Sequence, residues 1–367
     1  MKAAHGLVIG KFYPPHTGHH LLVNTAARTC RRVTVIVMAS SVESIPLELR
    51  VEWMRKVHDD ASNVTVVGTI DEHRLDFDDP VAWAAHVQLM REALRPVTSD
   101  AVDAVFTSEA YGGELARRFE ARHVCLDPER HLANISATAI RANPVSHWHH
   151  LAPPVRGWFA RRVVLIGAES TGKSTLAPEL AQALRSLGGS FAETRYVPEY
   201  GRDYAVQKWC MARAKAAIEG RAAPSVNEVD WDTHDFVLIA ERQNAREQVA
   251  ASDGGPVLIC DTDSFATSVW HERYLGHRSA DVERLAASRT VALYLLTHSE
   301  DMPFVQDGTR DGEAIRGWMT GRLETRLRES GLPFAWLRGD RTERREQALA
   351  AIDSMISAGW KLAPPLG

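Results

Sequence analysis

Cysteine is scarce in this 367-residue chain: Cys30, Cys125, Cys210 and Cys260 stand far apart, with no C-x-x-C pair. That pattern excludes a zinc ribbon or a disulfide framework and suits a reducing, cytoplasmic setting. Each thiol reads as a small buried hydrophobe. No apolar run is long enough to span a membrane. No signal-peptide pattern is present, because the N-terminus runs straight into the short strand Gly6-Leu7-Val8-Ile9-Gly10. Strong charge of either sign is missing too. A formal net charge of −4 offers no global basic field to nucleic acid, and the Arg161-Arg162 pair reads as solvated. There is no repeat and no low-complexity tract. With 45% hydrophobic and 25% charged residues, the composition is globular rather than disordered. The length suggests two domains.

What is present has one design used twice: an apolar strand, a glycine turn, then a helix. The first copy is Leu7-Val8-Ile9-Gly10 leading into a helix near 18–28, and the second is Val163–Gly167 leading into a helix over about 173–187. Val33–Met38, Val64–Val67 and Val102–Thr107 read as buried strands between helical stretches, and Val257–Asp261 and Val291–Leu296 continue the pattern in the second half. The alternation predicts two tandem doubly wound α/β domains with parallel sheets. Pro144, Pro153 and Pro154 place the boundary within 147–162. Residues 211–245 read as helical with one break at Pro224.

Gly167-Ala-Glu-Ser-Thr-Gly-Lys-Ser174 is a P-loop. Successive backbone N–H groups at a helix start surround phosphate oxygens, the two glycines permit the backbone, Lys173 faces the β/γ-phosphates and Ser174 can ligate Mg²⁺. Glu169, Ser170, Thr171 and Thr175 belong to the same ATP-binding set. Such a site needs an acid at the end of a second strand, and Cys260-Asp261-Thr262-Asp263 follows Val257–Ile259. Asp261 is the expected metal ligand, although these aspartates would also serve as helix caps. Glu199, in a loop interrupted by Pro198 and Gly201, is placed to bind or deprotonate an acceptor hydroxyl. Asp203 competes for that role, and Tyr200 and Asp263 are further acceptor-side contacts. Which carboxylate is the base stays open at this point. Arg310 and Arg316 are expected to close over the phosphates.

The second constellation is Gly10-Lys-Phe-Tyr-Pro-Pro-His-Thr-Gly-His19. Two imidazoles three apart at a helix start share one face and suit a pentacoordinate α-phosphate. The bare H-x-G-H pattern arises by chance in roughly one such chain in twenty, so alone it decides nothing. His20 reads as a bystander. Further on, Ile135-Ser136-Ala-Thr138-Ala-Ile-Arg141 offers a helix cap, hydroxyls and a cation. Arg141 is placed in the first turn, where it would oppose the helix dipole unless an anion lies there.

Together these segments resemble one family. Gly10–His19 matches the first motif of the HxGH nucleotidyltransferases and Ile135–Arg141 their second, ISxTxxR. Followed by a P-loop half with Val197-Pro-Glu-Tyr-Gly-Arg202 and Cys260-Asp-Thr-Asp263, the order is similar to the bifunctional NadR-type enzymes, from about Gly6 to Arg316. The resemblance implies a Rossmann-like nicotinamide mononucleotide (NMN) adenylyltransferase over 1–155 and a P-loop ribosylnicotinamide kinase over 160–360. ATP and Mg²⁺ would be the cofactors, and nicotinamide riboside, NMN and NAD the ligands. His16 and His19 would stabilise the α-phosphoryl transition state beside Gly10, Lys11 and Phe12. Ser136, Thr138 and Arg141 would bind the β/γ-phosphates, and Trp83 would stack on nicotinamide unless it is a core residue. Some members carry an N-terminal helix-turn-helix. Here the first motif starts within ten residues, so no DNA binding is expected. Two alternatives stay open: a nucleotidyltransferase joined to a different small-molecule kinase, and a nucleotide sensor without turnover. Lys173, Ser174 and Asp261 argue against the latter. The oligomeric state is open, a homo-oligomer included.

Overall fold

The structure, a computed structural model, describes residues 2–74, 76, 78–129, 131–305 and 312–366. The chain divides into two compact units, Met1–Val155 with Trp360–Gly367, and Arg156–Gly359.

Among the described residues, the first unit runs β1 (Ala3–Gly10), α1 (Thr17–Thr29), β2 (Cys30–Ala39), α2 (Leu47–Val57), β3 (Val64–Ile70), α3 (Pro80–Leu94), β4 (Ala104–Thr107), α4 (Gly112–Arg118), β5 (Arg122–Cys125) and α5 (Ala137–Ala142). Its sheet is parallel throughout, in the order β3-β2-β1-β4-β5. Residues 33–39 of β2 are all buried, because helices cover both faces of the sheet. Successive side chains divide between those faces. Val8, Val35 and Val37 join Leu22, Val23 and Met54 on one side, while Leu7, Ile36 and Met38 join Trp83, Val87 and Met90 on the other.

A short helix, α6 (Pro153–Phe159), contains the boundary between the units. The second unit continues with β6 (Arg161–Ile166), α7 (Lys173–Arg185), β7 (Arg195–Val197), α8 (Tyr200–Ile218), α9 (Thr233–Asp253), β8 (Val257–Asp261), α10 (Ser264–Leu275), α11 (Ala280–Ala287), β9 (Leu293–Thr297), α12 (Arg316–Ser330), β10 (Phe334–Leu337) and α13 (Arg341–Ser357). Its parallel sheet has the order β10-β9-β6-β8-β7. Val163 and Leu165 of β6 pack with Leu176, Leu180 and Leu184 of α7. Both units are thus doubly wound α/β, as the sequence predicted. Ligands in such sheets bind beyond the strand C-termini where the winding direction reverses. That position is the end of β1 and β4 in the first unit, and the end of β6 between β8 and β9 in the second.

Several local expectations are corrected. The stretch 211–245 is interrupted over 14 residues rather than at Pro224 alone: Gly220 takes φ +64°, and α9 restarts on a capping box between Asp232 and Asp235. Cys30 and Cys260 are buried, but Cys125 and Cys210 are exposed, at the end of an edge strand and on an outer helix. Arg162 is buried rather than solvated, and donates to Gln248 Oε1 at 3.0 Å. No described helix is long and apolar enough to cross a membrane.

Candidate active sites

In the second unit β6 ends at Ile166 and the P-loop turns over the edge of the sheet. Gly167 has φ +153°, and a Cβ there would lie 2.1 Å from Thr297 Oγ1 on β9. Gly172, the residue before α7, has φ +82°. Both glycines are therefore required by backbone geometry and close approach. Ser170 holds φ +56° and Thr262, just past β8, φ +67°. Left-handed backbone at non-glycine residues costs free energy and concentrates at functional sites. Lys173 Nζ donates to the carbonyls of Gly167 at 2.9 Å and Ala168 at 2.7 Å. The ammonium thus lies over the loop it serves. Ser174 and Thr175 are exposed in the first turn of α7.

Two arginines hold the loop from behind. Arg344 donates to the Thr171 carbonyl at 2.8 Å and the His298 carbonyl at 3.0 Å. Arg316 donates to the carbonyls of Ser299 at 2.6 Å and Met302 at 2.8 Å. Arg316 was expected to close over phosphates. It is instead buried, with its Nη2 committed to main-chain oxygens. Arg344 was not anticipated at all. Arg310 lies outside the described residues.

The acids sort by environment. Asp261 is 2% exposed, and its Oδ1 has no hydrogen-bond partner. Asp263 caps α10 through the Ala266 N–H at 3.0 Å and accepts from Tyr294 Oη at 2.7 Å. It is a structural residue here rather than an acceptor-side contact. Glu199 sits in the short connection between β7 and α8, as the N-cap of α8. Burial pushes its carboxyl above the ordinary glutamate value, and the Asp261 charge adds to that. Burial lowers the Lys173 ammonium, with Asp261 and Glu199 opposing the shift. Asp203 turns away, with Arg246 at 3.2 Å, and that same arginine lies over the Tyr200 ring. Neither Asp203 nor Tyr200 lines the cavity that Glu169, Lys173 and Glu199 share. The far wall is aromatic: Trp209, Trp231, Phe236, Trp270 and Tyr274. Sequence reasoning missed these residues. Their only signal was three tryptophans within 209–270.

In the first unit a cavity of about 360 Å³ opens beyond β1 and β4. His16 caps α1: its Nδ1 accepts from the Gly18 N–H at 3.2 Å, and His19 Nδ1 accepts from the His16 N–H at 3.3 Å. With Nδ1 an acceptor in each ring, the proton of each neutral imidazole is on Nε2. The rings lie 3.8 Å apart, tilted 31°. Both line the cavity, with Gly10, Lys11, Phe12, Ser136, Thr138 and Arg141. A Cβ at Gly18 would meet His16 Cε1 at 3.1 Å, so a side chain there would push on the ring. Phe12, at φ +46°, sets its edge against His19 at 4.9 Å. His20 turns inward to His58 at 3.0 Å. Burial, with the neighbouring His58 and His16 charges, lowers it to about 3.

The remaining groups hold some surprises. Ser136 caps α5 through the Ala139 N–H. Arg141 lies in the last turn of that six-residue helix rather than the first, so the dipole favours it and the helix-start argument for an anion fails. Its guanidinium donates to the Tyr13 carbonyl at 2.6 Å and to Thr138 Oγ1 at 3.0 Å. Lys11 Nζ lies 3.4 Å from Glu43, which is itself buried against Arg50 at 2.6 Å. Lys11 also donates to the Leu366 carbonyl. The C-terminal residues lie along this site: Ala363 O accepts from Tyr13 Oη at 2.8 Å, and Pro365 lines the cavity. Nothing in the sequence signalled that. Trp83 is 7% exposed in the core beside Val87 and Met90, with Arg118 over its ring, and still lines the cavity.

The two sites define a nucleotidyltransferase-like domain joined to a P-loop domain. Residues 7–143 match the family model described as cytidylyltransferase-like, and residues 162–344 the one described as AAA domain. The chain is 25% identical over 351 residues to the trifunctional NAD biosynthesis/regulator protein NadR of Salmonella typhimurium, and 26% over 354 residues to that of Escherichia coli. Each match covers 90% of this chain and 77% of the relative. Two solved NadR structures, one in complex with NAD and AMP-PNP and one with NR, share its fold at a TM-score of 0.69 and 22% identity over 98% of both chains. Along both halves the chain is thus similar to the NadR proteins.

Proposed function

We infer that this chain makes NAD in two ATP-dependent steps. The kinase, assigned to 160–360, transfers the ATP γ-phosphate to the 5′-hydroxyl of nicotinamide riboside. The adenylyltransferase, assigned to 1–155, lets the NMN phosphate attack the ATP α-phosphorus and releases pyrophosphate. One observation carries the reading. Glu199 and Lys173 line one cavity, so an acceptor-side carboxylate faces a phosphate-side cation, and the acceptor side is aromatic. An aromatic wall suits a cationic pyridinium ring.

In the kinase, the P-loop amides and Lys173 hold the phosphates. Glu199 accepts the hydroxyl proton, which its raised pKa favours over a more acidic carboxylate. Ser174 and Asp261 would hold Mg²⁺, which neutralises charge on the β- and γ-phosphate oxygens. The orphaned, buried Oδ1 of Asp261 fits a carboxylate kept for a cation. In the adenylyltransferase, the Nε2–H donors of His16 and His19 meet charge as it grows on the α-phosphoryl oxygens. Ser136, Thr138 and Arg141 take the β/γ-phosphates, with Lys11 supplying further charge. Both steps are placed in the cytoplasm. Purified protein with ATP, Mg²⁺ and nicotinamide riboside should yield NMN and then NAD, followed by chromatography. Phosphorylation of other nucleosides in preference to nicotinamide riboside would overturn the assignment.

A further inference from the structure

At the end of β3, Asp71 is anchored by its own N–H to the Ala39 carbonyl at 2.8 Å. Its two oxygens face two imidazoles. His73 Nδ1 lies 2.9 Å from Oδ1, and His86 Nδ1, from α3, lies 2.5 Å from Oδ2. All three residues line the cavity of the first unit. One ligand atom from each lies within 4.8 Å of the others. The second ring nitrogen of His86 faces the Arg74 carbonyl at 3.3 Å. His86 thus meets an oxygen on each ring nitrogen, a carboxylate on one and a main-chain carbonyl on the other.

We propose that Asp71, His73 and His86 form a binding site for a divalent transition-metal cation of the zinc class. Two imidazoles and one carboxylate make a borderline donor set that favours Zn²⁺ or Co²⁺ over Mg²⁺, which prefers oxygen ligands and water. Ligand distances near 2.0–2.2 Å place tetrahedral donors roughly 3.4 Å apart, whereas the Asp71 oxygens stand 2.9 Å from His73 and 2.5 Å from His86, so each pair opens by up to about 1 Å to admit the ion. A turn of the Asp71 carboxylate and a shift of His73, half exposed on the segment after β3, supply that adjustment. The contact from His86 to the Arg74 carbonyl is the outer-shell partner that fixes ring orientation in such sites. Three protein ligands leave a coordination position open to the cavity. The ion would tie the segment after β3 to α3, the helix that carries Trp83, and its positive charge would oppose a cationic pyridine nucleotide there.

The test uses full-length protein stripped of metal, with excess Mg²⁺ present throughout. One equivalent of Co²⁺ should give the visible d–d bands of an ordered nitrogen–oxygen site, and Zn²⁺ should displace it. His73→Ala, at a side chain exposed enough not to disturb folding, should weaken Co²⁺ by more than the roughly 10–100-fold that loss of an outer-shell partner costs. His86→Ala should do the same. The triple variant His147→Ala, His149→Ala, His150→Ala removes a separate close histidine cluster and should leave the spectrum unchanged. Bands that survive in His73→Ala, or vanish in the triple variant, overturn the proposal, as does absence of binding in the parent protein. NAD formation by the metal-stripped protein, measured in parallel, reports on the adenylyltransferase reading separately.

Discussion

The two halves gather phosphate with different resources, and the contrast explains why one was easier to read. The second unit uses main chain. Gly167 and Gly172 bend the loop, α7 presents its first turn, and Lys173 lies over its own carbonyls. All of this sits within eight consecutive residues. The first unit uses side chains drawn from separate segments: His16 and His19 at α1, Arg141 at α5, Lys11 restrained by Glu43 and the Leu366 carbonyl. A site made of backbone must be contiguous, so it leaves a motif. A site made of side chains need not, and tertiary structure assembles it.

The sharpest way to break this comparison is to remove one donor from each half. Lys173→Ala should lower NMN formation by about 10³-fold or more and leave NMN-to-NAD conversion intact, while His19→Ala should do the reverse, by about 10²–10³-fold. Separate assays with nicotinamide riboside and with NMN read the two steps. Equal losses of both activities in either variant would show that the halves are not independent.

Next in size is Glu199→Gln, expected to cost the kinase about 10²-fold or more through loss of the base. The parent enzyme carries a finer signature. Burial and Asp261 raise the Glu199 pKa, and the base works deprotonated, so kinase kcat/KM should fall on acidification at a pH above the usual carboxylate range. Adenylyl transfer, which uses no carboxylate base, should lack that limb. An acid limb shared by both reactions would assign it to ATP or to folding instead.

Sequence reasoning reached the sheet class and singled out the P-loop, the imidazole pair and Asp261 as candidates, because each is written in local spacing. It failed where a role depends on what lies across the fold. Arg316 and Arg344 look alike as surface-helix arginines, and only burial shows both bonded to loop carbonyls. Asp203 and Glu199 are four residues apart on one helix start, yet one faces Arg246 and the other the cavity. The aromatic wall and the Pro365 contact come from distant segments that no spacing connects. A smaller effect tests the arginines. Arg344→Ala leaves the Thr171 and His298 carbonyls without their donor, at about 1–3 kcal/mol each. It should loosen ATP binding to the kinase about tenfold and lower Tm, with adenylyl transfer unchanged.

The smallest expected effect separates the units by pH rather than by substrate. In the first unit His20 is held at about 3, and burial also lowers His5 and His58. A histidine whose folded pKa is depressed binds less proton folded than unfolded, so stability falls as pH drops through the unfolded value near 6.5. For His20 alone the loss from pH 7 to pH 5 is about 2 kcal/mol. In the second unit burial raises Glu247 to about 7, and Asp263 moves in the same direction. A carboxyl with a raised folded pKa holds more proton folded than unfolded. Stability there rises as pH falls from 7 toward 4.5, by about 2 kcal/mol for Glu247 over the same interval. His271, lowered by burial, opposes this in part. Hydrogen exchange of peptides from β2 and β8 of the intact chain, corrected for intrinsic rates, should therefore show protection falling in β2 and holding or rising in β8 between pH 7 and pH 5. Parallel loss in both would mean that the two cores unfold as one cooperative unit.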